Sequence, residues 1–269
     1  MLTLGIDSSG RTASCALAED GVLLGEYSTN IGLTHSETLL PMIQELFARC
    51  GRRCEALSLV AVSAGPGSFT GLRIGAASGK GIALAYGIPM AAVSTLEGLC
   101  RNVAESERFV HPIMDARRHQ VYTAEYLGGV LRGEEEAVSI EELVARLNRE
   151  GGKHLFLGDG VAVYRAYIES NMTAEHSFAS AGNLLQRAGS IALLGERMLE
   201  RGKTVESGDF TLSYVRKPQA ERERERQGLR EFDMLHQNNA DSAERTLDRS
   251  LPRNYRIGGR SGYENEESL

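Results

Sequence analysis

The chain has 269 residues and a formal net charge of −6, enough sequence for one large domain or two small lobes with a sizeable core. Its acidity argues against a strongly basic, stand-alone nucleic-acid-binding protein. It has neither an apolar run of about 18 residues nor the charged-then-apolar start of a signal peptide, so we expect a cytoplasmic protein without a membrane span.

The four cysteines are scattered, and no two of them have the CxxC spacing of a zinc or redox site. They are Cys15, Cys50, Cys54 and Cys100. We therefore expect reduced thiols, as is usual in the cytosol, and no cysteine-bound metal.

Three strand candidates open the chain, at residues 2–7, 12–17 and 22–27. The pair Asp20-Gly21, between the second and the third, is typical of a tight hairpin turn. The pattern therefore predicts a three-stranded meander.

Asp7 ends the first of these strands and is followed by Ser8 and Ser9. An acid at this position can face a metal–phosphate group or orient a water molecule. It can equally accept hydrogen bonds from its own turn. The sequence alone leaves both interpretations open.

A helix is predicted after the meander. Thr34 and Glu37 have the spacing of a capping box, and the helix runs from there to about Cys50. Its apolar stripe, at helical spacing, contains Leu39, Ile43 and Leu46. Such a stripe is typical of a face that packs against other apolar side chains.

The stretch from Gly65 to Gly87 reads as a tight turn followed by a helix that Ser68 caps. Small residues recur at every fourth position: Gly71, Gly75, Gly79, Ala83 and Gly87. Because a glycine costs a helix about 1 kcal/mol or less relative to alanine, a glycine face predicts close approach by another backbone. Packing inside the chain, packing on a partner helix and binding of phosphate at the helix N-terminus all remain open. The spacing matches neither the P-loop nor the dinucleotide-binding pattern.

The second half of the chain repeats the order of strands and helices in shortened form, which predicts two related α/β lobes. A strand at 109–114 ends in Asp115 and pairs with 121–127; a helix at 139–150, a strand at 155–157 and a long helix at 183–201 follow.

We place the first lobe at residues 1–105 and the second, smaller lobe, which includes the C-terminal helix, at residues 106–226. Residues 227–269 are polar and poor in aromatic side chains, and no steady periodicity runs through them. This last segment is predicted to be mostly disordered.

Several stretches resemble the TsaB (YeaZ) family, in the family's order and over residues 1–226. They are LTLGIDSS, THSETLLPMI, AVSAGPGSFTGLRIG, VSTLEGL, MDARR and YVRKPQAERE, of which GPGSFTGLR is the most specific. The resemblance implies the two-lobed α/β fold of actin, sugar kinases and Hsp70 chaperones, with mixed sheets and a reduced second lobe.

The resemblance also implies a role in tRNA modification, the formation of N6-threonylcarbamoyladenosine in tRNAs that read ANN codons. In that pathway the paralogue TsaD transfers the threonylcarbamoyl group, TsaE is an ATPase, and TsaB supports both without catalysing a step. The implied partners are TsaD, TsaE and, for the chain alone, a second copy of itself, with tRNA contacted at most indirectly. No cofactor is implied beyond weak or shared nucleotide binding in the complex, and Asp7, Ser8 and Ser9 resemble the remnant of a phosphate loop.

The helices that bind TsaD in this family correspond here to residues 35–50 and 69–86. The implied partner interface consists of Leu39, Ile43, Leu46, Gly71, Arg73, Gly75 and Gly79. TsaD holds its metal with a His-x-x-x-His pair, whereas here His35 is followed at that spacing by Leu39, which cannot bind a metal. We therefore expect neither a metal site nor catalytic residues. The alternative is a metal- or ATP-dependent enzyme, peptidase-like or kinase-like.

Overall fold

Two five-stranded sheets form the centre of residues 1–215, the part of the chain that the computed structural model describes. The strands are β1 (Leu2–Asp7), β2 (Ala13–Glu19), β3 (Val22–Thr29), β4 (Leu57–Gly65), β5 (Met90–Ser94), β6 (Phe109–Asp115), β7 (Gln120–Leu127), β8 (Val130–Ser139), β9 (Lys153–Leu157) and β10 (Glu175–Phe178). The helices are α1 (His35–Cys50), α2 (Phe69–Tyr86), α3 (Thr95–Arg101), α4 (Ile140–Glu150), α5 (Gly160–Asn171) and α6 (Ala188–Glu200). No helix in this part of the chain is long and apolar enough to cross a membrane. The prediction of disorder for residues 227–269 lies outside the described residues.

The first sheet has the strand order β3-β2-β1-β4-β5. Strands β1, β2 and β3 pair antiparallel, which confirms the predicted meander, and β4 and β5 continue the sheet parallel to β1. Helices cover both faces, because Val60 and Val62 of β4 pack in the same cluster as α1 and α2, whereas Leu59 and Ala61 pack against α6. Alternate residues of one strand thus serve two separate layers of the core.

The second sheet has the order β10-β9-β6-β7-β8 and repeats the mixture of parallel and antiparallel pairs. The predicted hairpin of β6 and β7, the helix α4 and the strand β9 are present. Strands β8 and β10 and helix α5 were not predicted. Strand β8 carries three consecutive glutamates and is largely exposed, so it lacks the alternation of apolar and polar residues that marks a strand in sequence.

The last helix belongs to the first sheet, which corrects its placement in the second lobe. Helix α6 lies so close to β1 and β4 that a Cβ on Gly5 would overlap the carbonyl oxygen of Ala188, and one on Gly195 would overlap Ala61. The helix also begins at Ala188 rather than at residue 183. The amide of Asn102 donates hydrogen bonds to the carbonyl groups of Asn183 and Leu185, so these carbonyls are not free for a helical turn.

Ser68 caps α2 as predicted, and Ser94 and Ser139 cap α3 and α4 in the same way. Ser68 accepts a hydrogen bond from the backbone N–H of Gly71 at 3.3 Å, and Ser94 accepts one from Glu97 at 3.1 Å. At the start of α1 the predicted capping box does not form, because the Thr34 hydroxyl donates to the carboxylate of Glu37 at 2.7 Å instead of accepting from the backbone. A side-chain pair of this kind leaves the helical N–H groups to other acceptors.

The glycine face of α2 packs inside the chain, which is one of the three interpretations that the sequence left open. A Cβ on Gly71 would overlap the carbonyl oxygen of Ser8, and a Cβ on Gly75 would overlap the Ser8 hydroxyl. A Cβ on Gly79 would lie 2.7 Å from Val62. The groups that approach this helix are therefore the backbone of Ser8, just after β1, and side chains of β4, all in the same chain.

This packing predicts opposite effects for alanine at two glycines of α2. Gly71→Ala should lower the free energy of unfolding by about 1–3 kcal/mol, because the new methyl group meets rigid backbone. The matched change Gly81→Ala, at a position with nothing within 4 Å of a Cβ, should raise it by about 1 kcal/mol or less, since alanine favours the helix. Urea unfolding of both variants and the parent measures the difference. Equal effects at the two positions would contradict internal packing of the Gly71 face.

Candidate functional site

One oxygen of the Asp7 carboxylate is held by hydrogen bonds from neighbouring residues. Its Oδ1 accepts hydrogen bonds from the Ser9 backbone N–H at 2.9 Å, from the Ser9 hydroxyl at 2.6 Å and from the Ser63 hydroxyl at 3.2 Å. Burial raises the pKa of Asp7, and these hydrogen bonds lower it in part. Of the two interpretations of Asp7, the geometry supports the acid that bonds its own turn.

Ser8 and Ser9 are covered by the start of α2. The Ser8 hydroxyl donates to the carbonyl oxygen of Gly71 at 2.8 Å, and the backbone N–H of Ser68 donates to the carbonyl oxygen of Ser9 at 2.7 Å. Both serines are fully buried, at 0% exposure. The predicted remnant of a phosphate loop is thus filled by protein groups, and a phosphate has no open approach to these hydroxyls.

A second acidic strand end lies at Asp115, where β6 finishes. Its backbone N–H donates to Oδ1 of Asp159 at 3.3 Å, and Tyr164 donates its hydroxyl hydrogen to the Asp115 carboxylate at 3.4 Å. Burial, with smaller contributions from the charges of Asp115 and Asp7, raises the pKa of Asp159 to about 6. The carboxylates of Asp7, at the end of β1, and Asp159, which follows β9, are therefore close enough to interact.

His35 has a structural contact at the position where the paralogue begins its metal-binding pair. Its Nε2 donates a hydrogen bond to the carbonyl oxygen of Gly10 at 2.9 Å, because a carbonyl can only accept. Leu39, four residues further on, is 1% exposed and packs in the core. Within residues 1–215, no three His, Cys, Asp or Glu side chains are grouped so that they could hold a metal ion.

The predicted partner interface needs correction in six of its seven residues. Leu39, Ile43 and Leu46 are 1–4% exposed and belong to the core beneath α1. Gly71, Gly75 and Gly79 are buried against β1 and β4. Only Arg73 is exposed. The sequence patterns marked the faces that bind the helices to their own sheet, so these six residues are not exposed to a partner.

The face of α2 that is open to solvent also consists of small residues. Ala77, Gly81 and Ala85, here called the outer stripe, are four residues apart and exposed. They lie about 200° around the helix axis from the buried glycines, because Gly79 and Gly81 are two residues apart and each residue turns an α-helix by about 100°. Exposed apolar side chains on the same two helices are Leu40, Phe69, Leu84 and Tyr86, which are 38–74% exposed.

An aromatic cluster stands at the start of α2 beside this face. The guanidinium of Arg73 lies 3.9 Å from the centre of the Phe69 ring, and the rings of Phe69 and Tyr214 are 5.6 Å apart. All three side chains are exposed. Aromatic and arginine side chains are the groups that most often dominate the binding energy of protein interfaces.

The comparisons with known proteins agree with this architecture. The family model for TsaD, tRNA N6-adenosine threonylcarbamoyltransferase, matches residues 30–223. The tRNA threonylcarbamoyladenosine biosynthesis protein TsaB of Bacillus subtilis (strain 168) is 32% identical over 200 residues, which are 73% of this chain and 87% of that protein. TsaB of Escherichia coli (strain K12) is 31% identical over 212 residues, 76% of this chain and 90% of that protein.

A solved structure shows the same fold. The crystal structure of YeaZ from Pseudomonas aeruginosa is 27% identical and superposes with a TM-score of 0.66 over 79% of this chain and 99% of that chain. The two mixed sheets with helices on their faces make this a mixed α/β protein with the fold of YeaZ. More narrowly, the chain belongs to the TsaB (YeaZ) family, which takes part in threonylcarbamoyladenosine biosynthesis in tRNA alongside TsaD.

Asp159 predicts a pH dependence of stability. Its pKa is higher in the folded chain than in the unfolded chain, so the folded state holds the extra proton and stability falls as pH rises from about 4 to about 6. Asp159→Asn should therefore be more stable than the parent at pH 7.5, by about 3 kcal/mol at most, because asparagine is never charged. Its Oδ1 can still accept from the Asp115 N–H.

Urea unfolding of Asp159→Asn and the parent at pH 4.5 and pH 7.5 tests this. The difference in unfolding free energy should shrink at the lower pH, where the parent carboxyl gains its proton. If the difference in unfolding free energy does not change with pH, the charge of the Asp159 carboxylate does not cause it.

Proposed function

We propose that the chain is the non-catalytic scaffold subunit of the complex that forms N6-threonylcarbamoyladenosine in tRNAs reading ANN codons. In this role it binds the TsaD transferase and the TsaE ATPase and has no cofactor of its own. The family assignment supports the pathway. The internal hydrogen bonds of Asp7 and His35 support a role without catalysis.

The outer stripe is the observation that carries the proposal. Small residues at every fourth position on an exposed helix face let another helix approach closely, which is how glycine and alanine act in tight helix pairs. Exposed apolar side chains such as Leu40 and Leu84 stand on the same two helices and would be removed from water by a partner. The partner surface therefore consists of the outward faces of α1 and α2, and a second copy of the chain can use it when TsaD is absent.

An omission experiment tests the proposed function. The full chain is mixed with TsaD, TsaE, the synthase of threonylcarbamoyl-AMP, ATP and unmodified tRNA, and each protein is left out in turn. We expect no modified tRNA without this chain, and no threonylcarbamoyl transfer or peptide cleavage by this chain alone. Turnover by the chain alone that is lost in Asp7→Asn would instead support the enzymatic alternative.

Gly81→Leu should weaken the binding of TsaD without lowering the stability of the chain. The larger side chain would hold the partner helix away from the outer stripe, and each loss of about 1.4 kcal/mol lowers affinity tenfold, so we expect TsaD to bind at least about tenfold more weakly. The thermal melt should stay at or above that of the parent, because a Cβ at Gly81 meets nothing within 4 Å.

Ala145→Leu is the matched control for this variant, since Ala145 is an exposed alanine on α4 in the other half of the chain. It should bind TsaD as the parent does. Affinity is measured by titration against TsaD. If Gly81→Leu binds TsaD as tightly as the parent does, the outer stripe is not part of the interface.

A further inference from the structure

The turn between β6 and β7 has an unusual backbone. Arg117, Arg118 and His119 have φ values of 64°, 56° and 59°, so three consecutive residues with side chains adopt the left-handed conformation. Residues other than glycine normally visit this region singly, because the Cβ atom crowds the following carbonyl group. Asp20, the other such residue in the described chain, precedes Gly21 in a two-residue hairpin turn, where this conformation is usual.

The rest of the fold holds the turn in this shape. The backbone N–H of Arg117 donates to the Asp115 carboxylate at 2.9 Å, and the N–H of Ala116 donates to the carbonyl oxygen of Gln120 at 2.9 Å. The carbonyl oxygen of His119 accepts from the N–H of Ile140 at 3.0 Å, which ties the turn to the start of α4. The conformation is therefore imposed on these three residues, and glycine would adopt it more easily.

The side chains of the turn gain little from the chain itself. Arg117 is 87% exposed and reaches the Asp115 carboxylate only at 3.5 Å. Arg118 is exposed and makes no hydrogen bond or ion pair with another residue of the range 1–215. Strained backbone that the surrounding structure holds in place clusters at functional sites, and here its side chains are left open for an external contact.

The chemistry of the turn indicates an anionic partner. Two adjacent guanidinium groups and an imidazole project from one turn, and guanidinium groups bind phosphate oxygens in a bidentate manner. A free nucleotide would need a concave site that encloses it, whereas side chains as exposed as Arg117 suit the extended backbone of a polymer. The chain as a whole is acidic, so such a contact has to be local.

We propose that the turn Arg117–His119 binds the phosphate backbone of the RNA substrate, which makes this chain a direct RNA contact of the complex. This inference rests on the proposed function, because that function makes tRNA the substrate. It changes the role expected for the chain, from a subunit that touches tRNA at most indirectly to one that helps to position it. The contact reads no bases and adds affinity to all tRNAs alike.

The test uses the full chain assembled with TsaD and TsaE, and an unmodified tRNA transcript as the probe. Arg118→Glu should bind the tRNA about tenfold more weakly, since a charge-assisted contact is replaced by repulsion. Arg118→Gly should also weaken binding and reduce the slope of log affinity against log salt by about one. Its melting temperature should rise by about 2–4 °C, because glycine relieves the left-handed strain.

Arg149→Glu is the matched control, since Arg149 is an exposed arginine with ordinary helical backbone on α4 of the same half. It should bind the tRNA as the parent does. Equal binding of tRNA by Arg118→Glu and the parent, or an equal loss in Arg149→Glu, would overturn the inference.

Three further outcomes are separable in the same experiment. A parent chain that does not assemble with TsaD would refute the proposed function itself. If the parent assembles and Arg118→Glu binds TsaD more weakly than the parent does when no tRNA is present, the turn contacts an acidic protein surface instead of RNA. If Arg118→Glu binds ATP more weakly but binds tRNA as the parent does, the turn binds the phosphate of a free nucleotide. Either of the last two results overturns the RNA contact and leaves the scaffold function intact.

Discussion

The structure of the first half depends on how closely α2 approaches the end of β1. Any side chain at Gly71 would overlap the carbonyl oxygen of Ser8, and the Ser8 hydroxyl donates to the carbonyl oxygen of Gly71 at 2.8 Å. One contact thus holds the backbone of the strand end and the first turn of the helix together. The Asp7 turn is buried beneath it, and the other side of the same helix is left to face solvent.

Much of this arrangement could be predicted from the sequence. The meander, α1, α2 and the β6–β7 hairpin follow from alternation, helical spacing and the Asp20-Gly21 turn. The repeat of strands and helices predicted two related sheets. The position of α6 could not be predicted, because an amphipathic helix shows that one face is buried but does not show which sheet buries it. Strand β8 was missed because three consecutive glutamates interrupt its apolar pattern, and only its pairing with β7 makes it a strand.

The candidate site was harder to predict, and the reason lies in α2. Glycines at every fourth residue indicate that some backbone comes close, but the pattern carries no information on whose backbone it is. Small residues recur at every fourth position in the outer stripe as well, so the sequence pattern predicts close approach of another backbone on both faces of the helix. The buried contacts of Gly71 and the open surroundings of Gly81 decide between the faces. Similarly, nothing in the letters Asp115-Ala-Arg-Arg-His indicates a left-handed turn, because one of the bonds that hold this backbone comes from Ile140, at the start of α4.

A helix with two small faces has a consequence for how such a subunit can work. One face lets α2 lie directly on the turn that follows β1, so the loop around Asp7 is covered by protein. The other face stays free of large side chains and is open to close approach from outside. The glycines that cover the loop and the outer stripe, which we propose as the partner surface, thus lie on one helix, about 200° apart. Close packing on the chain's own strand and an open surface for the proposed partner are compatible here because both require small residues on α2, at positions that differ by only two in the sequence.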